Sequence, residues 1–130
     1  MTLQWQRAIS AELRPLDLTH VQFVLLACAW WLHGQDQIPN QLELARQAGA
    51  DVKMTSLVVR KLEAKGLLRR EVDPADTRAR RLRLTTEGTS LAQRAITAVE
   101  QVDAQFFGRE AAGITPVLQR LIGLTTDRPT

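Results

Sequence analysis

The sequence predicts a mainly α fold of the α+β class, in which a helix-turn-helix runs straight into a two-stranded β-hairpin. Three observations predict it. Two consecutive short helices carry cap signals and are joined across Gly49. Leucines alternate with arginines over 79–84, just after a Pro-containing turn. Beyond Thr85, apolar residues recur at helical spacing for longer than one small core can cover.

At 130 residues the chain is a single domain's worth. Trp5 to Leu13 reads as a short amphipathic helix with Trp5, Ala8, Ile9 and Leu13 on one side, ended by Pro15. Thr19-His20-Val21-Gln22 has capping-box spacing and opens a second helix, apolar on nearly every face over 21–32 and therefore the most enclosed one. Gly34 is expected to end it. Asn40-Gln41-Leu42-Glu43 repeats the cap signal for a third helix, whose buried side is predicted to be Leu42, Leu44, Ala45 and Ala48. After Gly49, Asp51 caps a fourth helix running to about Lys65, and Gly66 stands where a left-handed residue is wanted. Two helices of these proportions with a short Gly-containing turn suit a helix-turn-helix.

Residues 67–72 and 79–84 then flank Asp73-Pro74-Ala75-Asp76, which predicts a hairpin with one wet face. Thr85 caps the long helix, with Leu91, Ala95, Val99, Val102 and Phe106 as its stripe. Such a narrow stripe meets another helix, from the same chain or a second one. Thr115-Pro116 is expected to start a last helix carrying Val117, Leu118, Leu121 and Ile122.

Charge is unevenly placed. Residues 53–83 hold ten Lys/Arg against four acids, a balance of +6 in a chain whose net charge is +3. That is the footprint of a polyanion binder, although a merely solvated basic surface would look the same in composition. With Val58 taken as the inward direction of the fourth helix, Met54, Leu62 and Lys65 fall on its side. Lys53, Ser56, Arg60 and Glu63 point away. Lys53 and Ser56 lie where a recognition helix reaches bases or phosphates, Thr55 is a candidate phosphate contact, and Arg60 can pair bidentately with guanine. On the hairpin, Arg78, Arg80 and Arg81 form a second basic element, and Asp76 is placed to hold the Arg78 guanidinium.

Here the residues resemble a known family. Leu62-Glu63-Ala64-Lys65-Gly66-Leu67-Leu68-x-Arg70, then Asp73-Pro74-Ala75-Asp76-Thr77-Arg78-Ala79 and Leu84-Thr85-x-x-Gly88, are similar to the winged-helix signature of the MarR (multiple antibiotic resistance regulator) family. Leu18-Thr19-x-x-Gln22-x-x-Leu25-Leu26 and Glu43-Leu44-Ala45 extend the resemblance upstream. It implies a winged helix-turn-helix lobe over 18–84 and a homodimer joined through helices in 1–17 and 85–130. It also implies recognition helices in successive major grooves of double-stranded DNA, with the wing arginine Arg78 in the minor groove. Repression relieved by a small phenolic or lipophilic effector, or by oxidation, is implied too. Two features depart from the family pattern. Leu57 stands where a polar side chain is frequent, and the first and last helices look short.

Other groups support less. Cys28 lies in VLLACAWWL and reads as a core cysteine; a single cysteine also agrees with a reducing cytoplasm. Trp30, Trp31 and His33 line a pocket for an aromatic ligand or else pack in the core. His20 and His33 are 13 positions apart without cysteine partners, so no metal site or other cofactor is expected. The chain carries no G-x-S-x-G, Gly-rich phosphate loop or H-E-x-x-H, and no signal or membrane segment is expected; catalysis finds no support. The competing function is a winged-helix protein–protein adaptor, for which Leu57 is the argument. A single-stranded nucleic-acid binder lacks wing aromatics for stacking.

Overall fold

The computed structural model describes residues 3–108 and 113–126. Among the described residues, six α-helices and one hairpin follow in the order α1 (Leu3–Leu13), α2 (His20–Gly34), α3 (Gln41–Ala48), α4 (Val52–Ala64), β1 (Leu68–Asp73), β2 (Asp76–Leu84), α5 (Thr86–Phe107) and α6 (Ile114–Thr126), with a single 3-10 turn at Arg14–Leu16 after α1. The Ile122 side chain and residues 127–130 lie outside the described part.

Local chemistry places the helix starts. The Thr19 hydroxyl accepts from the Gln22 N–H at 3.2 Å while the Gln22 side chain accepts from the Thr19 N–H at 3.3 Å. Asn40 and Glu43 make the same reciprocal pair at 2.8 and 2.9 Å. The Asp51 carboxylate accepts from the Met54 N–H at 3.0 Å. These bonds occupy amide hydrogens that a helix start leaves without intrahelical partners. Gly49 and Gly66 take the left-handed backbone at φ 63° and 76°. Gly34 does not: it is the last residue of α2, and Asp36 makes the left-handed turn at φ 59°.

One apolar cluster runs through the molecule. Helix α2 supplies Phe23, Val24, Leu25, Leu26, Ala27, Cys28, Ala29 and Leu32, all buried, which makes it the central element. Trp5, Ile9 and Leu13 of α1 enter from one side, together with Ala92, Ala95, Val99 and Val102 of α5. Leu44, Ala48, Val59 and Leu62 of α3 and α4 enter from the other, and Leu68, Leu82 and Leu84 seat the hairpin. Among the described residues no single helix is long and apolar enough to cross a membrane.

Several faces differ from the sequence reading. Leu42 is 46% exposed, because α3 turns Leu44, Ala45 and Ala48 inward and helical spacing puts Leu42 on the opposite side. Helix α4 buries Thr55, Val59 and Leu62, so its inward direction lies one position beyond Val58, which is half-buried like Met54. In α5 the buried line includes Ala92, Ile96 and Asp103, while Leu91 is half-buried and Phe106 exposed. Helix α6 starts at Ile114, which leaves Thr115 inside its first turn instead of capping it.

The hairpin pairs antiparallel, Leu68 with Leu84 through Val72 with Arg80, and then shifts register to Asp73 with Asp76. The shift leaves Thr77, Arg78 and Ala79 unmatched on the return strand, a bulge near the tip. The return strand therefore begins at Asp76, earlier than its leucine alternation suggests.

Candidate nucleic-acid interface

Helix α4 and the hairpin are fixed to a common frame. The Leu82 N–H donates to the Pro39 carbonyl at 2.7 Å, and Arg81 forms a β-bridge with Asn40, the cap of α3. Arg70 reaches from β1 to two helices, its Nε 2.9 Å from Glu63 Oε1 of α4 and an Nη 3.5 Å from Gln41 Oε1 of α3. Two residues on, at the C-cap of α4, the Lys65 ammonium donates to Gln22 Oε1 at 2.9 Å, donates to the Asp17 carbonyl and pairs with the Asp17 carboxylate at 3.5 Å. The C-terminal end of α4 is thus tied to the root of the wing through Glu63 and Arg70, and to α2 through Lys65.

That outer face carries Lys53, Leu57, Arg60 and Lys61, all exposed, with Ser56 half-buried at its edge. Leu57 is 61% exposed and contributes nothing to the core. Thr55 does not belong to this surface. It is fully buried between α4 and its neighbours, and among the described residues its hydroxyl has no hydrogen-bond partner. A side chain so enclosed cannot reach a phosphate outside, which corrects that expectation.

On the wing, the arginines separate by environment. Glu71 draws three of them together. Arg83 Nε donates to both carboxylate oxygens at 2.9 and 2.8 Å, Arg69 approaches to 3.1 Å and Arg81 to 3.9 Å. The hydrogen bond from Arg83, more than any other contact, holds the Glu71 carboxyl below the usual carboxylate range. Arg81 is half-buried and turned toward Glu71, so it presents less charge to solvent than its position on the strand suggests. Arg80 donates to the Thr77 and Ala79 carbonyls at 3.2 Å each and braces the bulge. Arg78 stands free of the surface, its side chain 94% exposed. The Asp76 carboxylate accepts from the Arg78 backbone N–H at 3.1 Å and lies 3.9 Å from its Nε. Asp76 therefore fixes the backbone under Arg78 more closely than it holds the guanidinium. Asp73 accepts from the Ala75 N–H at 2.9 Å, an Asx turn that closes the tip.

Sequence reasoning missed Glu71, Arg69 and Arg70 as organisers of this surface. Their signal was present in the strand period, since Arg69, Glu71, Arg81 and Arg83 share one face once the register is known.

The aromatic group at the end of α2 is spoken for by packing. Trp30 and Trp31 are half-buried against the core. His33 accepts the Leu84 N–H on Nε2 at 3.1 Å, so its ring is a structural link to β2 and not a free pocket wall. A polar cleft of about 540 Å³ lies nearby, lined by Leu32, Ile38, Pro39, Arg46 and Gln47 among others, none of them from the Trp30, Trp31 and His33 group. Cys28 is fully buried, and burial pushes its thiol pKa up to about 12, consistent with a core cysteine.

Comparison with known proteins converges on one family. The model of the MarR family matches residues 18–79. An uncharacterized HTH-type transcriptional regulator of Bacillus subtilis strain 168, YdcH, is 39% identical over 106 residues, spanning 82% of this chain and 72% of the relative. CouR from Rhodococcus jostii RHA1, solved bound to p-coumaroyl-CoA, superposes with a TM-score of 0.69 at 26% identity, over 98% of this chain and 87% of that one. MepR of S. aureus, solved as a DNA complex, shares the fold with a TM-score of 0.71 at 24% identity, over 94% and 86% of the two chains. With its helix-turn-helix and bulged wing, this chain belongs to the MarR family of transcriptional regulators.

Proposed function

We propose that the chain is a homodimeric repressor that binds a pseudo-palindromic operator in double-stranded DNA. In this reading α4 lies in the major groove with Lys53, Ser56 and Arg60 toward bases and phosphates. Arg78 enters the adjoining minor groove, where narrow A·T tracts attract arginine, and Arg80 and Arg81 support the wing from behind. Residues 18–84 form the DNA-binding lobe, and 1–17 with 85–130 form the dimer layer. Exposed Leu3, Phe106 and Phe107 at the paired ends of α1 and α5 support that layer, since a second copy would cover them. The protein acts in the cytoplasm, by binding and not by catalysis.

The observation that carries the reading is the joint one: a basic, solvent-facing side of α4 and an almost fully exposed Arg78, on a wing whose root is joined to α4 and to the cap of α3 through Arg70, Glu63 and the Asn40–Arg81 bridge. Release by a small aromatic or lipophilic effector is the regulatory half of the proposal, supported by the p-coumaroyl-CoA held by the similar CouR.

Gel-shift titration of genomic fragments at several salt concentrations tests it. Arg78→Ala should weaken binding to specific and non-specific duplex alike and lower the salt slope by about one. Arg60→Ala should relax discrimination between sequences. Absence of any fragment bound above the non-specific level would instead favour a protein–protein adaptor, the second reading, for which the exposed Leu57 is the specific observation.

A further inference from the structure

We infer that Leu57 is a specificity-determining residue of α4, selecting half-sites by the 5-methyl group of thymine. The inference rests on the operator-binding reading above and names part of what that operator contains.

The position of Leu57 argues for it. Residues 53, 57, 60 and 61 are exposed on α4, whereas 55, 59 and 62 are fully buried. Leu57 therefore sits at the centre of the outward face, one helical turn after Lys53 and about one before Arg60 and Lys61. The cations that flank it seek phosphates and base acceptors; an isobutyl group can do neither. Folding gives Leu57 nothing in exchange, because its neighbours Val59 and Leu62 already fill the inward side and Leu57 remains 61% exposed. A major groove floor offers hydrogen-bonding edges and a single apolar group, the C5-methyl of thymine. An apolar side chain pressed against a cytosine amine would strip water from a polar edge without replacing its hydrogen bond. Pressed against a thymine methyl, it removes apolar surface from water on both sides. Burial of one methyl-sized group corresponds to about a fourfold change in affinity per half-site.

Deoxyuridine isolates this contact, because it keeps the O4 acceptor and the pairing of thymine and lacks only the methyl. The full-length protein would be titrated against its recovered operator and against duplexes with deoxyuridine at single half-site thymines. The wild-type chain should lose about fourfold at one or two positions in each half-site. Leu57→Ala and Leu57→Gln, both folded by circular dichroism, should bind the thymine and deoxyuridine duplexes equally at those positions. Equal wild-type affinity for both duplexes at every position overturns the inference while leaving operator binding intact. Undiminished sensitivity in both variants also overturns it and assigns the methyl to another side chain. Failure of the operator-binding reading looks different, since no duplex of either kind would then be held above the non-specific level.

Discussion

Leu84, the last residue of β2, donates its backbone N–H to Nε2 of His33 at 3.1 Å and so ties the root of the wing to the end of α2. The bond needs an unprotonated Nε2. Burial, then the charge of Arg83, lowers the His33 pKa below the ordinary imidazole value, against hydrogen bonding to the Ala29 and Gln37 backbone and the charge of Glu71, which pull the other way. An unfolded chain takes up this proton near pH 6.5, and the folded chain takes it up only at lower pH. Stability linked to His33 is therefore fully present above about pH 6.5 and is lost as pH falls through the folded pKa. Burial shifts His20 in the same direction, so the two add. Thermal unfolding followed between pH 7.5 and 5 should show the midpoint falling with acid, and falling less in His33→Gln. An equal fall in both proteins would remove His33 from the account.

Gly88 is required by contact. A Cβ built there would stand 2.0 Å from the Leu67 carbonyl oxygen and 2.9 Å from its carbon, both backbone atoms that cannot swing aside. The close approach lets α5 start on the turn that ends α4: the Thr85 N–H donates to the Leu67 carbonyl at 3.1 Å and the Thr85 hydroxyl to the Gly66 carbonyl at 2.6 Å. Gly88→Ala should destabilise by about 1–3 kcal/mol in urea unfolding, the range for overpacking. Gly34 is the control, a helical glycine with nothing within 4 Å of a new Cβ. Gly34→Ala should stabilise by roughly 0.5–1 kcal/mol. Similar stabilities for the two variants would mean that α5 has another way to seat.

How much of this could be read from the chain depends on how local each cause is. The caps at Thr19, Asn40, Asp51 and Thr85 were legible because donor and acceptor lie three residues apart. The inward direction of α4 was not, because its sequence carries two overlapping stripes. Met54, Val58 and Leu62 look apolar, while Thr55, Val59 and Leu62 are the residues that α2 and α3 enclose. A threonine hides such a stripe. Composition likewise revealed ten cations over 53–83 but not that Glu71 gathers Arg69, Arg81 and Arg83. That grouping follows from strand register, which the bulge at 77–79 alters near the tip. Arg78, by contrast, was set apart from Arg80 and Arg81 only by the resemblance of the turn motif, and its near-complete exposure is a finding of the structure.

Thr55 offers a test of that hidden stripe. Its hydroxyl is buried and has no hydrogen-bond partner among the described residues. Thr55→Val keeps the shape and the β-branch while removing a polar atom that was stripped of water without replacement. The variant should be more stable by about 1 kcal/mol in chemical denaturation, with DNA affinity unchanged. Weakened DNA binding with unchanged stability would return Thr55 to the interface.

Asp103 of α5 is entirely buried, and Arg120 of α6 meets it with both arms, Nε to Oδ1 at 2.8 Å and Nη2 to Oδ2. The same guanidinium lies 4.4 Å from the centre of the Phe107 ring, which packs edge-on against Trp5 at 5.8 Å between centroids. One charged pair therefore joins the last helix to α5, and through Phe107 to α1. Arg120→Met would leave a carboxylate in the core with no cation, and losses of this kind run to about 3–5 kcal/mol. Replacing both groups, Asp103→Leu with Arg120→Met, removes the buried charge altogether and should restore most of that stability. Urea unfolding of the two single variants and the double variant gives the coupling directly. A double variant as unstable as Arg120→Met would show that packing by Arg120 against Phe107, and not the ion pair, holds α6 in place.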